Sequence, residues 1–439
     1  MMNDQKINAA KIGNTLVKFT GYYGSALKMI RLVYLYSIVS EAGSYNRIGL
    51  EEMKAIFALQ TSFSEGRFDL DTIKRALEAS EKEQPTFLPR TMESVVKSYD
   101  FLVQMSPEYQ KAIANAIKSI ELPDDNSARW ELLSALLERA GRDVSQLGGF
   151  VTPKSIADLC NGLLQVKPTD SYIDLFAGLS VTYFSAPECK DYCGCEINTE
   201  VCIASAMIAK LLHKPNYSYL NADSFGWIDD SEYDVVVCDC PPGIKIDDTE
   251  SANTFDVFGT KDGEIASLYR CYKMLRKGGR AVFLTPTRFL TKDDKAHIDA
   301  RKAIIGEGLK AIIFLPSGMR TTTALPFNIL LLEKGYTGQV TLVDARECGS
   351  MENRLQRVFD EGTVQSVIDI VTNGLISDEI PSRVIERSGL LFDEDVALNP
   401  NDFFAKTVKK DFRSVSDIEA DIESTLDEML AVMRKGDAE

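Results

Sequence analysis

One segment, residues 233–243, constrains the fold more than any other part of the sequence. It reads Tyr-Asp-Val-Val-Val-Cys-Asp-Cys-Pro-Pro-Gly. A short β-branched run that stops at an acidic residue is typical of a buried parallel strand that ends at the edge of an α/β sheet. The two prolines that follow fix two φ angles and remove two backbone donors. The segment therefore predicts a rigid turn with outward-pointing carbonyls, which can hold the exocyclic amine of a base.

The sequence around this segment alternates short β-branched runs with helical stretches from about residue 146 to residue 335. This alternation predicts a doubly wound, mostly parallel sheet in an α/β fold. Its predicted strands are Ser171–Phe176, Asp191–Glu196, Tyr233–Cys238 and Arg280–Leu284. Two further runs, Lys310–Leu315 and Asn328–Glu333, have no helix between them and predict a terminal antiparallel hairpin. A short strand is also predicted at Gln339–Asp344.

The 439 residues are too many for one small core, so two or three domains are expected. Helical spacing predicts an all-α domain over residues 1–145, and the predicted sheet occupies residues 146–340. Residues 341–439 form a C-terminal extension. Its last segment fits a capping box at Ser416–Glu419 and has an apolar helical face. That face comprises Ile418, Ile422, Leu426, Met429 and Met433. We expect this helix to pack either on its own domain or on a partner subunit.

Charge and hydropathy narrow the class of protein. No apolar run approaches the roughly 18 residues of a membrane span, and the polar N-terminus lacks the apolar stretch expected of a signal peptide. The nine cysteines show no framework spacing, so a reduced, cytoplasmic protein is expected. The net charge of −16 is unlike that of a protein that grips DNA alone, so any DNA contact implies a more basic partner. The two histidines, His213 and His297, give little support for histidine-based catalysis.

Three acidic residues lie at predicted strand ends. The first strand runs into Asp174-Leu-Phe-Ala-Gly-Leu-Ser180, where Gly178 allows the backbone to approach a ligand. Glu196 ends the second strand, about twenty residues on, and can accept both ribose hydroxyl donors of a nucleoside. Asp223 follows a probable third strand and can accept from an adenine amine. Together with the glycine turn, these carboxylates predict a nucleoside-binding edge.

Upstream of the first strand, residues 148–153 read Gly-Gly-Phe-Val-Thr-Pro, and a helix is expected from Lys154. A threonine hydroxyl and free amides at a helix start suit a carboxylate ligand. An ordinary helix that starts with proline is the alternative interpretation of this segment.

These segments together closely resemble the modification (M) subunit of type I restriction-modification systems, a family of N6-adenine DNA methyltransferases. The turn after residue 238 resembles that family's Asn/Asp-Pro-Pro-aromatic turn, and residues 174–180 resemble its cofactor loop. The stretches at residues 275–286, 308–319, 326–330 and 396–404 resemble later elements of the family. The resemblance covers roughly residues 15–435. It implies a methyltransferase fold with a leading helical domain and a closing helix.

The resemblance implies S-adenosylmethionine as the cofactor and DNA as the substrate, with a separate specificity subunit as partner and with a restriction subunit as a further candidate. It implies adenine-N6 methyl transfer. The implied cofactor-binding residues are Gly148, Gly149, Phe150, Val151, Thr152, Pro153, Asp174, Gly178, Leu179, Ser180, Glu196 and Asp223. The implied catalytic residues are Asp239, Cys240, Pro241 and Pro242.

The turn departs from the family pattern, and two registers are open. If the prolines are aligned, Cys240 takes the position of the amine acceptor and Gly243 that of the aromatic residue. A thiol is a weak acceptor, and glycine cannot stack on a base. In the other register Asp239 is the acceptor and Cys240 is inserted, which is expected to aim the carboxylate elsewhere. The cofactor loop departs as well, because Ser180 stands where the family has a second glycine.

Three functions remain open on the sequence. The first is an S-adenosylmethionine-dependent adenine-N6 DNA methyltransferase subunit. The second is a catalytically impaired relative that binds cofactor or a partner as a scaffold, and the third is an enzyme with another acceptor. The cysteines near strand ends invite a zinc site, but the second and fourth strands of such a sheet flank the first and do not touch. No metal is therefore expected. The cysteines concerned are Cys189, Cys193, Cys195, Cys238 and Cys240.

Overall fold

The computed structural model describes residues 25–83, 92–143, 151–214, 216–227, 231–246, 260–320, 323–352 and 356–404. The predicted C-terminal helix that begins at Ser416 lies outside these residues. Two compact units are recognised, residues 1–399 and residues 400–439. The division into three domains at residues 145 and 340 stays a prediction. Along the described part of the chain, no helix is both long and apolar enough to cross a lipid bilayer.

The chain up to residue 143 is helical where it is described. Its helices are α1 Ser25–Ser40, α2 Leu50–Glu65, α3 Leu70–Glu83, α4 Met92–Lys97, α5 Asp100–Val103, α6 Pro107–Lys118 and α7 Asn126–Asp143. Helix α1 is buried on most sides because its apolar residues are not confined to one stripe. Helices α2, α3, α6 and α7 pack against it.

The sheet follows, with helices between its parallel strands. The elements are α8 Lys154–Leu164, β1 Ser171–Asp174, α9 Val181–Phe184, β2 Asp191–Glu196, α10 Thr199–Leu211, β3 Tyr217–Asn221, β4 Tyr233–Cys238, α11 Gly263–Lys273 and β5 Leu275–Pro286. They continue with α12 Thr287–Thr291, α13 Lys295–Glu307, β6 Leu309–Phe314, β7 Phe327–Glu333 and β8 Val340–Asp344. The last are β9 Ser350–Met351, β10 Arg357–Val358, α14 Glu361–Asn373, β11 Ser382–Ile385, α15 Arg387–Leu390 and α16 Pro400–Phe403.

The large sheet has the strand order β11-β8-β6-β7-β5-β4-β1-β2-β3. Strand β1 pairs in parallel with β2 on one side and with β4 on the other. Strand β7 lies between β5 and β6 and is antiparallel to both. The predicted α/β fold with a terminal antiparallel hairpin is therefore confirmed, and β2 and β4 do flank β1 without touching.

Helix α10 joins the sheet to the helical region. Its Glu200 carboxylate accepts from Arg31 of α1 at 2.5 Å, and its buried Lys210 pairs with Glu81 of α3. The guanidinium of Arg129 in α7 donates to the carbonyl of Leu211 at 2.7 Å. The three cationic side chains of these contacts are buried and each has a partner, so they hold the helical region against one face of the sheet.

Candidate active site

A cavity of about 370 Å³ opens at the carboxyl edge of the central strands. It is lined by Phe176, Gly178, Cys195, Glu196, Ile197, Asp223, Ser224, Phe225, Asp239, Pro241, Ile244, Lys245 and Ile246. The carboxyl ends of parallel strands meet at one edge of a sheet, which is where ligands bind in open α/β folds. The predicted carboxylates Glu196, Asp223 and Asp239 thus come together in one cavity.

The glycine turn and Glu196 hold each other in place. Gly178 has a φ of +52°, and its amide donates to Oε2 of Glu196 at 3.2 Å. The other oxygen of Glu196 accepts from the amide of Asn198 at 2.8 Å. The hydroxyl of Tyr219 donates to the carbonyl of Gly178. Burial raises the pKa of Glu196, and the backbone amides of Asn198, Gly178 and Ile197 oppose that rise.

Asp174 lies behind the cavity wall, at the end of β1. Its carboxyl group is buried, and it accepts from the Thr182 hydroxyl at 2.6 Å. Burial raises the pKa of Asp174 to about 7; the Thr182 hydroxyl opposes this, and the nearby carboxylate of Asp239 adds to it. The side chain of Asp174 therefore organises the turn from the inside.

Ser180 also faces the interior, although glycine is the family's residue there. Its φ is +55°, in the left-handed region, and its side chain is fully buried. The hydroxyls of Tyr192 and Ser205 lie 2.9 Å and 3.0 Å from its Oγ. These hydrogen bonds stabilise a backbone conformation that ordinarily favours glycine. Ser180 and its neighbour Leu179 are interior residues and do not line the cavity.

The third carboxylate, Asp223, lies in the turn after β3. Its Oδ1 accepts from the amide of Phe225 at 2.9 Å, and the ring of Phe225 lies 5.4 Å from that of Phe176. The Ser224 hydroxyl donates to the carbonyl of Leu175 and so ties this turn to the end of β1. Two aromatic rings and a carboxylate form one wall of the cavity.

Asp239 follows directly after β4 and is held by two other elements. Its Oδ2 accepts from the Thr152 hydroxyl at 3.1 Å, and its Oδ1 pairs with the guanidinium of Arg320. The side chains of Arg320 and Asp239 are only 11% and 8% exposed. The guanidinium of Arg320 lies 4.3 Å from the ring centroid of Phe327. The carboxylate is therefore fixed at the cavity. That an inserted Cys240 aims it away from the position of an amine acceptor stays a prediction. Asp239 continues straight on from β4, whose Val237 pairs with Asp174.

Cys240 points away from the cavity. It is 1% exposed, and its Sγ lies 3.9 Å from the carbonyl of Gly263. Burial raises the pKa of its thiol. Pro241 lines the cavity and Pro242 is exposed beside it.

The chain after the turn covers one side of the cavity. Residues 244–246 run beside residues 261–263, since Gly263 donates to the carbonyl of Ile244 at 3.0 Å and Ile246 to that of Lys261 at 3.0 Å. The amide of Gly243 donates to Oε1 of Glu264 at 3.0 Å.

Of the Thr-Pro element, Val151, Thr152 and Pro153 are described, whereas Gly148, Gly149 and Phe150 lie outside the described residues. The amide of Lys154, at the start of α8, donates to Oε1 of Glu138 at 3.0 Å. Because the Thr152 hydroxyl is directed to Asp239, this element supports the turn after β4 as well as the cavity.

Sequence patterns gave no signal for several residues that shape the site. Arg320 comes from the connection between β6 and β7, and Ile244 to Ile246 follow the turn. Phe176 and Phe225 each lie two residues from a predicted carboxylate, Asp174 and Asp223, and their aromatic character was the one available signal. Among the residues that the structure describes, no group of three or more potential metal ligands lies together.

The residues present fit an adenosine-bearing ligand. Glu196 can accept from ribose hydroxyls, Asp223 from an amine, and the rings of Phe176 and Phe225 offer apolar contact for a base. Asp239 lies at the other side of the same cavity. The site can thus bind one nucleoside at Glu196 and Asp223 and hold the amine of a second group at Asp239.

Comparisons with known proteins agree with this geometry. A sequence model of the family described as N-6 DNA methylase matches residues 132–411, well over half of the chain. A search of curated proteins finds no match. The solved methyltransferase subunit of a type I restriction-modification system from Streptococcus thermophilus superposes with a TM-score of 0.67 at 16% identity, covering 91% of this chain and 99% of that one. A structure from work on the assembly of the type I R-M system gives a TM-score of 0.61 at 14% identity over 99% and 97% of the two chains. At these identities the likeness shows the shared fold.

Proposed function

Because the chain belongs to the N-6 DNA methylase family, we propose that it transfers a methyl group from S-adenosylmethionine to N6 of adenine in DNA. We propose further that it acts as the modification subunit of a type I restriction-modification system, beside a separate specificity subunit. The observation that carries the proposal is the Asp239 carboxylate, which lines the same cavity as Glu196 and Asp223.

The cavity residues supply a site for the cofactor, which brings an activated methyl group when bound. Glu196 accepts from its ribose hydroxyls, and Asp223 accepts from its adenine amine. Phe176, Ile197 and Phe225 bury its base. The Glu196 carboxylate is already oriented by the amides of Gly178 and Asn198, so little reorganisation accompanies binding.

The turn after β4 holds the acceptor amine. Asp239 accepts one N6 hydrogen and a carbonyl of the turn accepts the other, which leaves the nitrogen lone pair directed into the cavity. Arg320 and Thr152 fix the carboxylate for this task. Preorganised acceptors of this kind are worth most in a site from which water is excluded.

This assignment uses Asp239 in a third register, which differs from the one with an inserted Cys240 in that it requires no insertion. Asp239-Cys-Pro-Pro corresponds position for position to Asn/Asp-Pro-Pro-aromatic, with Cys240 at the first proline and Pro242 at the aromatic position. The buried thiol of Cys240 supports this register, because a side chain directed to Gly263 offers nothing to an amine in the cavity.

The charge of the chain supports a partner that grips DNA. At −16, the chain lacks the general excess of basic residues that phosphate contacts require. A specificity subunit with a basic surface would supply most of the affinity, and a restriction subunit is a further candidate partner. We place this complex in the cytoplasm, where DNA and reduced cysteines are found.

Calorimetry with S-adenosylmethionine tests the proposal first. Binding of one cofactor per chain is expected, and no binding at millimolar cofactor would rule out methyl transfer. The second step is transfer of a radioactive methyl group to unmethylated plasmid DNA, with and without the specificity subunit. Binding without transfer in the complete complex would favour a cofactor-binding scaffold instead.

A further inference from the structure

Arg288 lies beside the turn that receives the base. An enzyme that extrudes a base stacks it against a flat group, either an aromatic ring or a guanidinium plane. Neither Pro242 nor Gly243 brings an aromatic ring to this turn. A flat group near the turn would therefore have to lie against the face of the adenine.

The space next to Gly243 is occupied by the guanidinium of Arg288. Gly243 has a φ of +78°, and a Cβ at this position would lie 3.6 Å from Nη2 and 3.9 Å from Nη1 of Arg288. Both terminal nitrogens of the guanidinium therefore lie close to the glycine. Because Gly243 has no side chain, nothing of its own covers the guanidinium on that side.

One buried carboxylate holds both the turn and the arginine. Oε1 of Glu264 accepts from the amide of Gly243 at 3.0 Å and pairs with Nη2 of Arg288. Glu264 is 1% exposed, and its Oε2 has no hydrogen-bond partner among the described residues. A buried carboxylate is strongly destabilising without its cation, so Arg288 is retained at the turn.

The backbone that carries Arg288 is also fixed. The buried guanidinium of Arg301 donates to the carbonyl of Phe289 at 2.8 Å and to that of Lys292 at 2.7 Å. Both carbonyls belong to α12 or its C-cap. The side chain of Arg288 is nevertheless 53% exposed, so part of its surface is open to a ligand.

We propose that the guanidinium of Arg288 stacks on the extruded adenine and serves as a base-positioning residue in place of a turn aromatic. The proposal rests on the proposed function, in that the ligand is an adenine taken out of DNA. An arginine can do this because its guanidinium is planar and weakly hydrated, whereas a lysine ammonium is a compact point charge. Anchoring by Glu264 lowers the entropy lost when the base arrives.

The competing role for a half-exposed arginine is a phosphate contact. A phosphate contact depends on charge, and lysine largely preserves it, whereas stacking depends on the guanidinium plane. The Arg288→Lys variant therefore separates the two roles. Arg288→Trp combined with Glu264→Gln restores a flat surface without charge and leaves no buried carboxylate without its cation.

The test measures base-dependent affinity rather than turnover. The full-length chain in complex with its specificity subunit, saturated with S-adenosylhomocysteine at low salt, is titrated into a labelled single-stranded deoxyadenosine oligonucleotide and into an abasic strand of equal length. The wild type should prefer the adenine strand by about tenfold, the effect of stacking one base. Arg288→Lys should bring this ratio close to one at nearly unchanged affinity for the abasic strand. Arg288→Trp combined with Glu264→Gln should restore it.

The matched control is Arg276→Lys. Arg276 pairs with the buried Asp234, with side-chain exposures of 56% and 6%, against 53% and 2% for Arg288 and Glu264. It lies at the start of β5, the opposite end of the strand from Arg288, and should leave the ratio unchanged. An unchanged ratio in Arg288→Lys, an equal loss for both strands, or no preference in the wild type would each overturn the proposal. Absence of methyl transfer with the ratio intact would count against the proposed function alone.

Discussion

The carboxylate of Asp239 is paired with the guanidinium of Arg320, 81 residues further along the chain. Both side chains are close to nine-tenths buried, so each is the main counter-charge of the other. A buried carboxylate with a single cation cannot change its position freely. This pair therefore decides where the acceptor oxygen of the turn lies.

Replacing Arg320 by Met should lower both stability and methyl transfer. Loss of one partner of a buried pair costs about 3 kcal/mol, and Asp239 loses its fixed orientation. Urea unfolding and single-turnover transfer at saturating cofactor measure the two effects. Arg320→Lys should lie between the wild type and Arg320→Met. In a double-mutant cycle with Asp239→Asn, additive stability effects would contradict direct coupling of the two residues.

The Glu196→Gln variant should bind S-adenosylmethionine at least about tenfold more weakly. An amide replaces one oxygen that accepts from Gly178 or Asn198, and it accepts more weakly from ribose hydroxyls than a carboxylate. Calorimetry with the cofactor is the measurement. Glu200→Gln is the control, because Glu200 lies on the next helix, pairs with Arg31 and is outside the cavity. An equal loss of cofactor affinity in the two variants would show a general effect of the removed negative charge instead.

The acidic strand ends could be predicted because each depends on local sequence. A short, mostly apolar run followed by Asp174, Glu196 or Asp239 places a carboxylate at the edge of a parallel sheet without any knowledge of distant residues. The pair of Asp239 with Arg320 could not be predicted in this way. It depends on how the connection between β6 and β7 folds back over the sheet, and no local pattern encodes that path.

The orientation of Cys240 shows the same limit. The letters Asp-Cys-Pro-Pro-Gly allow more than one register, and only packing of the thiol against Gly263 argues against Cys240 as the acceptor. The departure at Ser180 is likewise explained by distant residues, since Tyr192 and Ser205 provide its hydrogen bonds.

Ser180 substitutions should therefore affect stability and leave cofactor binding unchanged. Ser180→Ala removes two buried hydrogen bonds while keeping the left-handed backbone, and should destabilise by about 2 kcal/mol. Ser180→Gly loses the same bonds but relieves about 1 kcal/mol of backbone strain, so it should be the milder change. Thermal unfolding of the two variants gives the order. Tighter cofactor binding by Ser180→Gly would contradict an interior role for this residue.

The buried Asp174 should give the protein a characteristic pH dependence. Its pKa is raised to about 7, against about 3.9 for an ordinary aspartate. The unfolded chain releases this proton from about pH 4, whereas the folded chain keeps it until about pH 7. The stability that the neutral carboxyl contributes is complete below pH 4 and is lost as the pH rises to 7.

Asp174→Asn should remove this dependence. The free energy of unfolding of the variant, relative to that of the wild type, should rise by up to about 4 kcal/mol between pH 4 and pH 7. Above pH 7 this difference between the two proteins should stay constant. Urea unfolding at several pH values measures the free energy of unfolding of both proteins. The prediction concerns how the difference between them changes with pH, not its absolute size. A difference that does not change with pH would show that Asp174 ionises normally in the fold.

The register of the turn can be tested by adding an aromatic residue. With Asp239 as acceptor, the aromatic position is Pro242, which is exposed. Pro242→Phe in the Arg288→Lys background should restore methyl transfer several-fold, because a ring on the turn replaces the lost stacking surface.

The opposite register, with Cys240 as acceptor, predicts a gain in methyl transfer from Cys240→Asn combined with Gly243→Phe. In the structure, that pair buries an amide where Cys240 is 1% exposed and forces a ring onto a φ of +78°, so it should lower stability by about 2 kcal/mol or more. Transfer rates of both variants at saturating cofactor decide between the registers, and a gain in the second variant alone would assign the acceptor position to residue 240.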